Sequence, residues 1–484
     1  MSLASALGSA LSGLSVSGRL ANLVSTNIAN AATPGYAKRE AELGSTLLGG
    51  QTSGVTITAY LRDVDAYLLN ERRAASAGRA GAQAEQAFLT KLETALSGNL
   101  LSGGLSDRLA TFESALIAAA ARPDSESFLA NVLTGAQGIV DHLNSAEAML
   151  QSARTEADAA IADQVDQLNT ALQQVQDLNT RIQVANAAGR DTSALQDLRQ
   201  SQIDRIAGII PIAQIPREGG VVALYSTQGA PLVDGRASRF DFTPTRAITA
   251  DATLQNGALG GLILNGRPIG TDAVGLVEGG SLSAAFDIRD RLAPEAQARL
   301  DGVALELGLR FQATGLDGTL SSGAAGLFTD AGARADMAAE VGLAGRLRIN
   351  SAVDPAQGGG IWRLRDGIGA ASPGNVGQTS LLTAYHQVLG QSAAAISASL
   401  PTGSRTLAGL ATDLQSYAAR QRVTADEALT FAEGRLGTLQ AEELLQGVDS
   451  DQELQKLLLI EQAYAANARV IQAIDSMMNT LLEL

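Results

Sequence analysis

The sequence contains no cysteine, and its histidines are only two, His142 and His386, in 484 residues. Without thiols there is no disulfide framework, thiolate zinc site or cysteine nucleophile. Two imidazoles far apart in sequence argue against histidine metal sites and Ser-His-Asp triads. Aromatic residues make up 4% of the chain, with Trp362 the single tryptophan. Cationic residues are scarce relative to anionic ones: 35 Lys and Arg stand against 50 Asp and Glu, a net charge of −15 with pI near 4.7. That balance lacks the electrostatic footprint of a nucleic-acid binder. Long apolar runs are missing too. No stretch of about 18 apolar residues is present, so no transmembrane helix and no membrane insertion are expected. The first cation is Arg19, and Ser and Gly interrupt the apolar positions before it, so no secretory signal is read here. If the protein leaves the cell, another route is expected.

What is present is mostly helical patterning. Hydrophobic content of 45% excludes global disorder, and the length predicts two to four domains. Leu3, Leu7, Ala10, Leu14, Ser17, Ala21, Val24, Ile28 and Ala31 follow alternating steps of four and three, the seam of a heptad helix. Small residues bury little area, and Gly8, Gly13 and Gly18 each cost about 1 kcal/mol, so this helix needs a partner. Leu457, Ile460, Tyr464, Asn467, Ile471, Ile474, Met478 and Leu481 form a second such seam, which Leu454, Leu458, Val470, Met477 and Leu482 widen. The two are expected to pair with each other or with neighbouring subunits; ordinary packing on a globular core is the plainer alternative.

Between them, Asn30 to Tyr36 reads as a helix stop with a Pro-Gly turn, and Gly54–Tyr60 as a short strand. Helices are expected over Asp65 to Leu96, Leu105 to Ala121, Glu126 to Ala185 and Ala194 to Ile206. Pro123 separates two of them, and Asp124 or Ser125 is the N-cap. Sixty helical residues would span about 90 Å, a rod rather than a globule, although Gly135 and Gly138 offer places to bend it. Within it Ile161, Val165, Leu168, Leu172, Val175, Asn179 and Ile182 keep heptad spacing, with polar Asn179 at a seam position that can fix register. From 209 to 280 the period falls to two. Val221–Ser226, Ser238–Thr243 and Gly261–Ile269 read as strands, and Asn265-Gly266 is a hairpin signal. Helix resumes from Ser281 to Thr314. Residues 315–375 are Gly- and Asp-rich, with a short strand at Gly345–Asn350. Helices at 378–399 and 404–445 follow, separated by Pro401.

The expected fold class is therefore mainly α with a small β domain, in nested order. Residues 1–36 with 450–484 form a terminal coiled-coil domain. Residues 37–208, 281–314 and 376–449 form an elongated helical bundle; 209–280 are the β insert, and 315–375 an outer segment, either separate from the β domain or part of it.

Catalytic spacing is not found. H-E-x-x-H, G-x-S-x-G, P-loop and EF-hand patterns are missing. Gly367 to Ser372 partly matches a dinucleotide fingerprint but lacks the last glycine and a leading strand. Asp63 with Asp65 and Asp449 with Asp451 read as solvated surface, Arg72-Arg73 as a small cationic spot, His142 and His386 as satisfied or surface residues, and Trp362 as packed on the Gly-rich loop. No catalytic, cofactor-binding or metal residues are assigned, and no enzyme activity is expected.

The terminal motifs carry more. Asn27-Ile28-Ala29-Asn30 followed by Thr33-Pro34-Gly35-Tyr36 resembles the N-terminal signature of bacterial flagellar rod, hook and hook-associated proteins. Gln462 to Gln472, followed by Met478 to Leu482, is similar to the other end of that family. The best match is the FlgK-type hook-associated family: Asp65 to Ala75, Leu195 to Ile206 and Gly280-Ser281-Leu282 resemble its segments. Hook and rod proteins turn to β structure soon after the first motif, whereas flagellin and the second junction protein lack the Thr-Pro-Gly-Tyr form.

The resemblance implies a secreted structural protein at the hook–filament junction of the flagellum, self-associated in a ring of about one helical turn between hook protein and the second junction protein. It further implies export in the unfolded state through the flagellar type III channel, with a chaperone on the C-terminal helices. The assembly interface is expected at Leu3, Leu7, Leu14, Val24, Ile28, Leu457, Ile460, Tyr464, Asn467, Ile471, Ile474, Met478 and Leu481. Alternatives are a hook protein or flagellin-like axial protein and, outside that class, a ligand-binding or enzymatic module in the β insert.

Overall fold

A computed structural model describes all residues except 1–2, 34, 49–50, 99–102, 271–274, 276 and 483–484. Helix α1 (Leu3–Ala29) leads through a turn into an antiparallel ribbon, β1 (Arg39–Leu48) and β2 (Gln51–Arg62). The sequence reading found part of β2 and missed β1, whose early positions alternate charged residues instead of apolar ones. The long helices follow: α2 (Ala66–Ser97), α3 (Leu105–Ala121), α4 (Glu126–Ala187) and α5 (Ser193–Ile209). Asp65 caps α2 by accepting from the Tyr67 and Leu68 N–H groups. Asp449 accepts from Asp451 and Gln452 N–H at the start of the last helix. Two carboxylates read as solvated surface are thus helix caps.

Helix α4 runs unbroken for 62 residues, about 90 Å. Gly135 does not bend it. A Cβ there would meet Phe112 Cα at 3.0 Å, so the glycine lets α3 lie close. One half of α4 serves the larger core with α3 and later helices. Four aromatic rings meet there: Phe311 lies 5.0 Å from Phe328, 5.4 Å from Tyr385 and 5.9 Å from Phe112.

The other half, Ile161 to Val175, forms a second core with the β segment. There β3 (Ile212–Pro216), β4 (Val222–Ser226), β5 (Pro231–Asp234) and β6 (Arg236–Ala237) make one antiparallel sheet. A second sheet holds β7 (Phe240–Asp241), β8 (Leu262–Leu264) and β9 (Arg267–Ile269). Asn265 and Gly266 both have positive φ, as the hairpin turn between β8 and β9 requires. Asn179 is the register device: its amide donates to the Val222 carbonyl and its Oδ1 accepts from Val222 N–H and from Arg199. It fixes α4 against β4 and α5.

Helix α6 (Gly280–Asp287) passes through a π-turn, Ile288–Leu292, into α7 (Ala293–Phe311). The extra residue of the π-turn places Arg289 fully inside, paired with buried Asp158 at 2.6 Å. Asp158 also accepts from Thr245 N–H, and Arg154 donates to the Arg289 and Thr249 carbonyls, so the loop after β7 is clamped to the rod. The Gly-rich segment folds over the rod with β10 (Phe328–Asp330) paired to β11 (Leu347–Ile349), and with short helices α8 (Leu343–Arg346) and α9 (Arg363–Asp366).

The sequence fragment resembling a dinucleotide fingerprint is a loop held by Asp317, which accepts from Ile368 N–H at 2.7 Å. Trp362 is half-buried with Arg363 stacked 4.8 Å from its ring centroid. His142 is buried, its Nε2 3.3 Å from the Leu96 carbonyl, and burial lowers its pKa. His386 lies 3.2 Å from Glu113. The helix expected over 378–399 stops earlier: α10 (Ser380–Gly390) gives way to β12 (Ala393–Ala394), which pairs with β13 (Ser404–Arg405). Finally α11 (Leu407–Gln446) packs along α2, and α12 (Ser450–Leu482) returns to α1.

Candidate assembly interface

Helices α1 and α12 pair antiparallel within one chain. Asn27, near the end of α1, meets Glu453 at the start of α12, and Gly13 meets Asn467 farther along. A Cβ at Gly13 would stand 2.7 Å from Asn467 Nδ2, so the glycine that weakens α1 by itself permits close approach. Gly18 has open space around it and forms, with Ser17, Asn22, Ile460 and Tyr464, the wall of a cleft of about 600 Å³.

The expected interface residues fall into three groups. Val24 and Ile474 are buried in the intramolecular pair, while Leu7, Leu14, Ile28, Leu457, Ile460, Asn467 and Ile471 are half-buried there. Leu3, Tyr464 and Met478 stay exposed at 37%, 45% and 46%. The Leu481 side chain lies outside the described residues. Beyond these, Leu11, Leu458, Leu459, Val470, Met477 and Leu482 are exposed. The pair thus buries one seam and leaves a broad apolar surface on its outside.

The signature motif forms the corner of this pair. Asn27 is 1% exposed. Its amide donates to the Arg39 carbonyl (2.9 Å) and to Glu453 Oε2 (3.0 Å), and its Oδ1 accepts from Tyr36 Oη (2.7 Å) and Arg39 N–H (3.1 Å). One side chain therefore ties α1, the turn, β1 and α12. Asn30 donates to the Thr26 carbonyl and accepts from Thr33 Oγ1, closing the helix end, and Gly35 supplies a φ of +79° in the turn. Pro34 lies outside the described residues. Glu453, also 1% exposed, is balanced by Lys456 at 3.0 Å.

A second polar cluster joins this corner to the rod, and sequence reasoning missed it. Asp197 on α5 pairs with Arg39 at 2.6 Å and Arg62 at 2.7 Å. Asp204, about two turns farther along the same face, pairs with Arg72 and Arg73, each at 2.7 Å. The supposed cationic spot Arg72-Arg73 is therefore interior: Arg73 is 1% exposed. The one legible trace was spacing, since Asp197 and Asp204 are seven residues apart on one helix face.

Among the described residues no group of three or more His, Asp and Glu could hold a metal ion, and no helix is long and apolar enough to cross a membrane.

Residues 89–328 match the family model for the flagellar hook-associated protein FlgK helical domain, and 446–484 match that for the flagellar basal body rod FlgEFG protein C-terminal region. Flagellar hook-associated protein 1 of Salmonella typhimurium is 25% identical over 286 residues, covering 54% of this chain and 51% of that protein. The Escherichia coli protein of the same name is 25% identical over 244 residues, 49% of this chain and 44% of its own. The chain thus spans about half the length of these two relatives. That of Bacillus subtilis is 21% identical over 494 residues, covering 94% of this chain and 93% of its own. The solved structure of the flagellar hook junction protein FlgK from Burkholderia pseudomallei aligns with a TM-score of 0.43 at 16% identity, over 54% of this chain and 46% of that one.

A long helical rod whose first and last helices pair, with these two matched regions, defines a flagellar axial protein. Within that class the chain is similar to the hook-associated protein 1, or FlgK, family, whose helical-domain model matches residues 89–328.

Proposed function

We propose that this protein is a structural, non-enzymatic component of the bacterial flagellum that joins hook to filament and assembles through its terminal helices. The observation that carries the reading is the apolar outer face of the α1–α12 pair, with Leu458, Leu459 and Met477 each more than half exposed. Surfaces of that kind mark protein contacts, and a pair built from small residues gains most of its burial only when neighbours close around it.

The working division is a terminal domain of 1–36 and 450–484, a rod of 37–208, 281–314 and 376–449, a β insert of 209–280 and an outer segment of 315–375. Subunits associate in a ring or one helical turn, with hook protein on one side and the second junction protein on the other. Export proceeds unfolded through the flagellar type III channel, with a chaperone on the C-terminal helices. The weak intrinsic stability of α1 suits that route, because ordering is deferred until interfaces form.

The test combines position and assembly. Labelled protein on sheared flagella is expected at the hook–filament boundary; label spread along hook or filament would instead favour a hook-protein or flagellin-like role. Leu14→Glu and Ile471→Glu should block incorporation while the main unfolding transition stays in place. Normal junctions in either variant would refute the assignment of these seam residues.

A further inference from the structure

Where the β1–β2 ribbon meets the rod, a cavity of about 240 Å³ opens between α2, α5 and the first sheet. Its lining includes Arg62, Arg73, Gln196, Arg199, Gln200 and Gln214. Three guanidinium groups thus share one small space in a chain with an overall excess of acids. Their partners do not balance them. Asp197 serves Arg39 and Arg62, Asp204 serves Arg72 and Arg73, and Glu443 serves Arg72. Arg199, 6% exposed, donates to Asn179 Oδ1 and the Gly220 carbonyl, and among the described residues no carboxylate pairs with it. Five arginines therefore face three carboxylates, an excess of two positive charges.

Two further observations point into the cavity. Arg73 is 99% buried and its Nη2 has no hydrogen-bond partner among the described residues. Burial, then the charges of Arg62 and Arg73, pushes the Arg199 guanidinium down to about 10, as expected for a cation without a counter-charge. Leaving such groups buried and unpaired is costly, and planar guanidinium forks match oxyanions in geometry.

We propose that this cavity binds one dianionic tetrahedral oxyanion, hydrogen phosphate or sulfate, held by Arg62, Arg73 and Arg199. Two negative charges neutralise the excess of two. The space holds a tetrahedral anion and a few waters, each water occupying about 30 Å³. Because Arg62 closes β2, Arg73 lies on α2 and Arg199 on α5, the anion fastens the ribbon that carries the terminal pair to the rod.

The experiment uses the full chain at constant ionic strength, replacing chloride with inorganic phosphate or sulfate. Phosphate should broaden its 31P resonance in a saturable way, and the unfolding temperature should rise by about 2 °C to a plateau. Gln196→Glu places a carboxylate in the lining and is expected to abolish both responses while raising stability in chloride. Arg199→Met should abolish them as well; if it fails to fold, Gln196→Glu decides. A rise that stays linear in anion concentration and persists in Gln196→Glu is the general salting effect of these ions, and overturns the proposal. So does the lack of any saturable 31P broadening.

Discussion

Asn27→Ala should detach the terminal helix pair without unfolding the rod. The substitution removes four hydrogen bonds at a site 1% exposed to solvent. Three involve neutral groups and one the Glu453 carboxylate. Each neutral bond contributes about 1 kcal/mol net and the charged one about 2 kcal/mol, and unsatisfied partners add to the loss. The four bonds sum to about 5 kcal/mol, and water entering the site brings the local penalty to about 4 kcal/mol. It falls on one corner, since no described residue of α1 or α12 belongs to the large core.

Hydrogen exchange with mass spectrometry is the suitable assay. Amides of Leu3–Ala29 and Ser450–Leu482 should lose protection by two to three orders of magnitude, about 1.4 kcal/mol per factor of ten. Those of α4 should change little, and the main calorimetric transition should stay within about 1 °C. Glu453→Gln, which keeps shape and one acceptor, should cost clearly less. Unchanged protection in the terminal helices, or an equal loss throughout α4, would refute the corner assignment.

Gly13→Ala and Gly18→Ala should act in opposite directions on the protection of α1. Each gains about 1 kcal/mol of helix propensity, but the new methyl at 13 meets Asn467 and the one at 18 meets nothing among the described residues. The reasoning fails if both stabilise α1 equally.

Burial pushes the Asp301 carboxyl up to about 6, against the opposing Ala344 and Gly342 N–H bonds, with Glu147 adding to the rise. Its folded-state value exceeds the ordinary 3.8. The folded protein therefore takes up a proton between those two values, and stability from this group declines as pH rises through the window. Urea midpoints at pH 4.5 and 7 should differ less in Asp301→Asn than in the parent. Asp158→Ala leaves Arg289 charged and fully buried, still paired with Asp290, and releases Thr245 N–H. A loss of about 3–5 kcal/mol is expected, and a change under 1 kcal/mol would exclude the clamp.

The order of helices and the two terminal seams were legible because they depend on neighbours within one or two turns, whereas the caps Asp65 and Asp449 were read as surface. Leu105–Ala121 agrees in both bounds, and the heptad run Ile161 to Ile182 is buried throughout. The readings that failed involve residues whose role is set across the chain. Strand β1 alternates charged with small residues at its start, and it exists because β2 pairs with it and Ser12 anchors the ribbon at Val55. Arg72 and Arg73 read as a small cationic spot, and only the fold shows that α5 brings Asp204 to them. The helix after 378 ends at Gly390 because the chain is drawn into the short pairing of Ala393–Ala394 with Ser404–Arg405.

The sequence by itself determined that helices dominate, that the first and last of them need partners, and that thiol and imidazole chemistry has almost no material. It also contained the motif Asn27 to Tyr36, though not the reason for it. Only the tertiary structure decided that α1 takes α12 as its partner, that Asn27 is the knot between four segments, and that five arginines converge beside three carboxylates. Periodicity records which face of a helix is apolar, and this is a local property. Which group ends up desolvated, and what then satisfies its hydrogen bonds or its charge, depends on contacts between residues hundreds of positions apart, as Asn27 with Glu453 are.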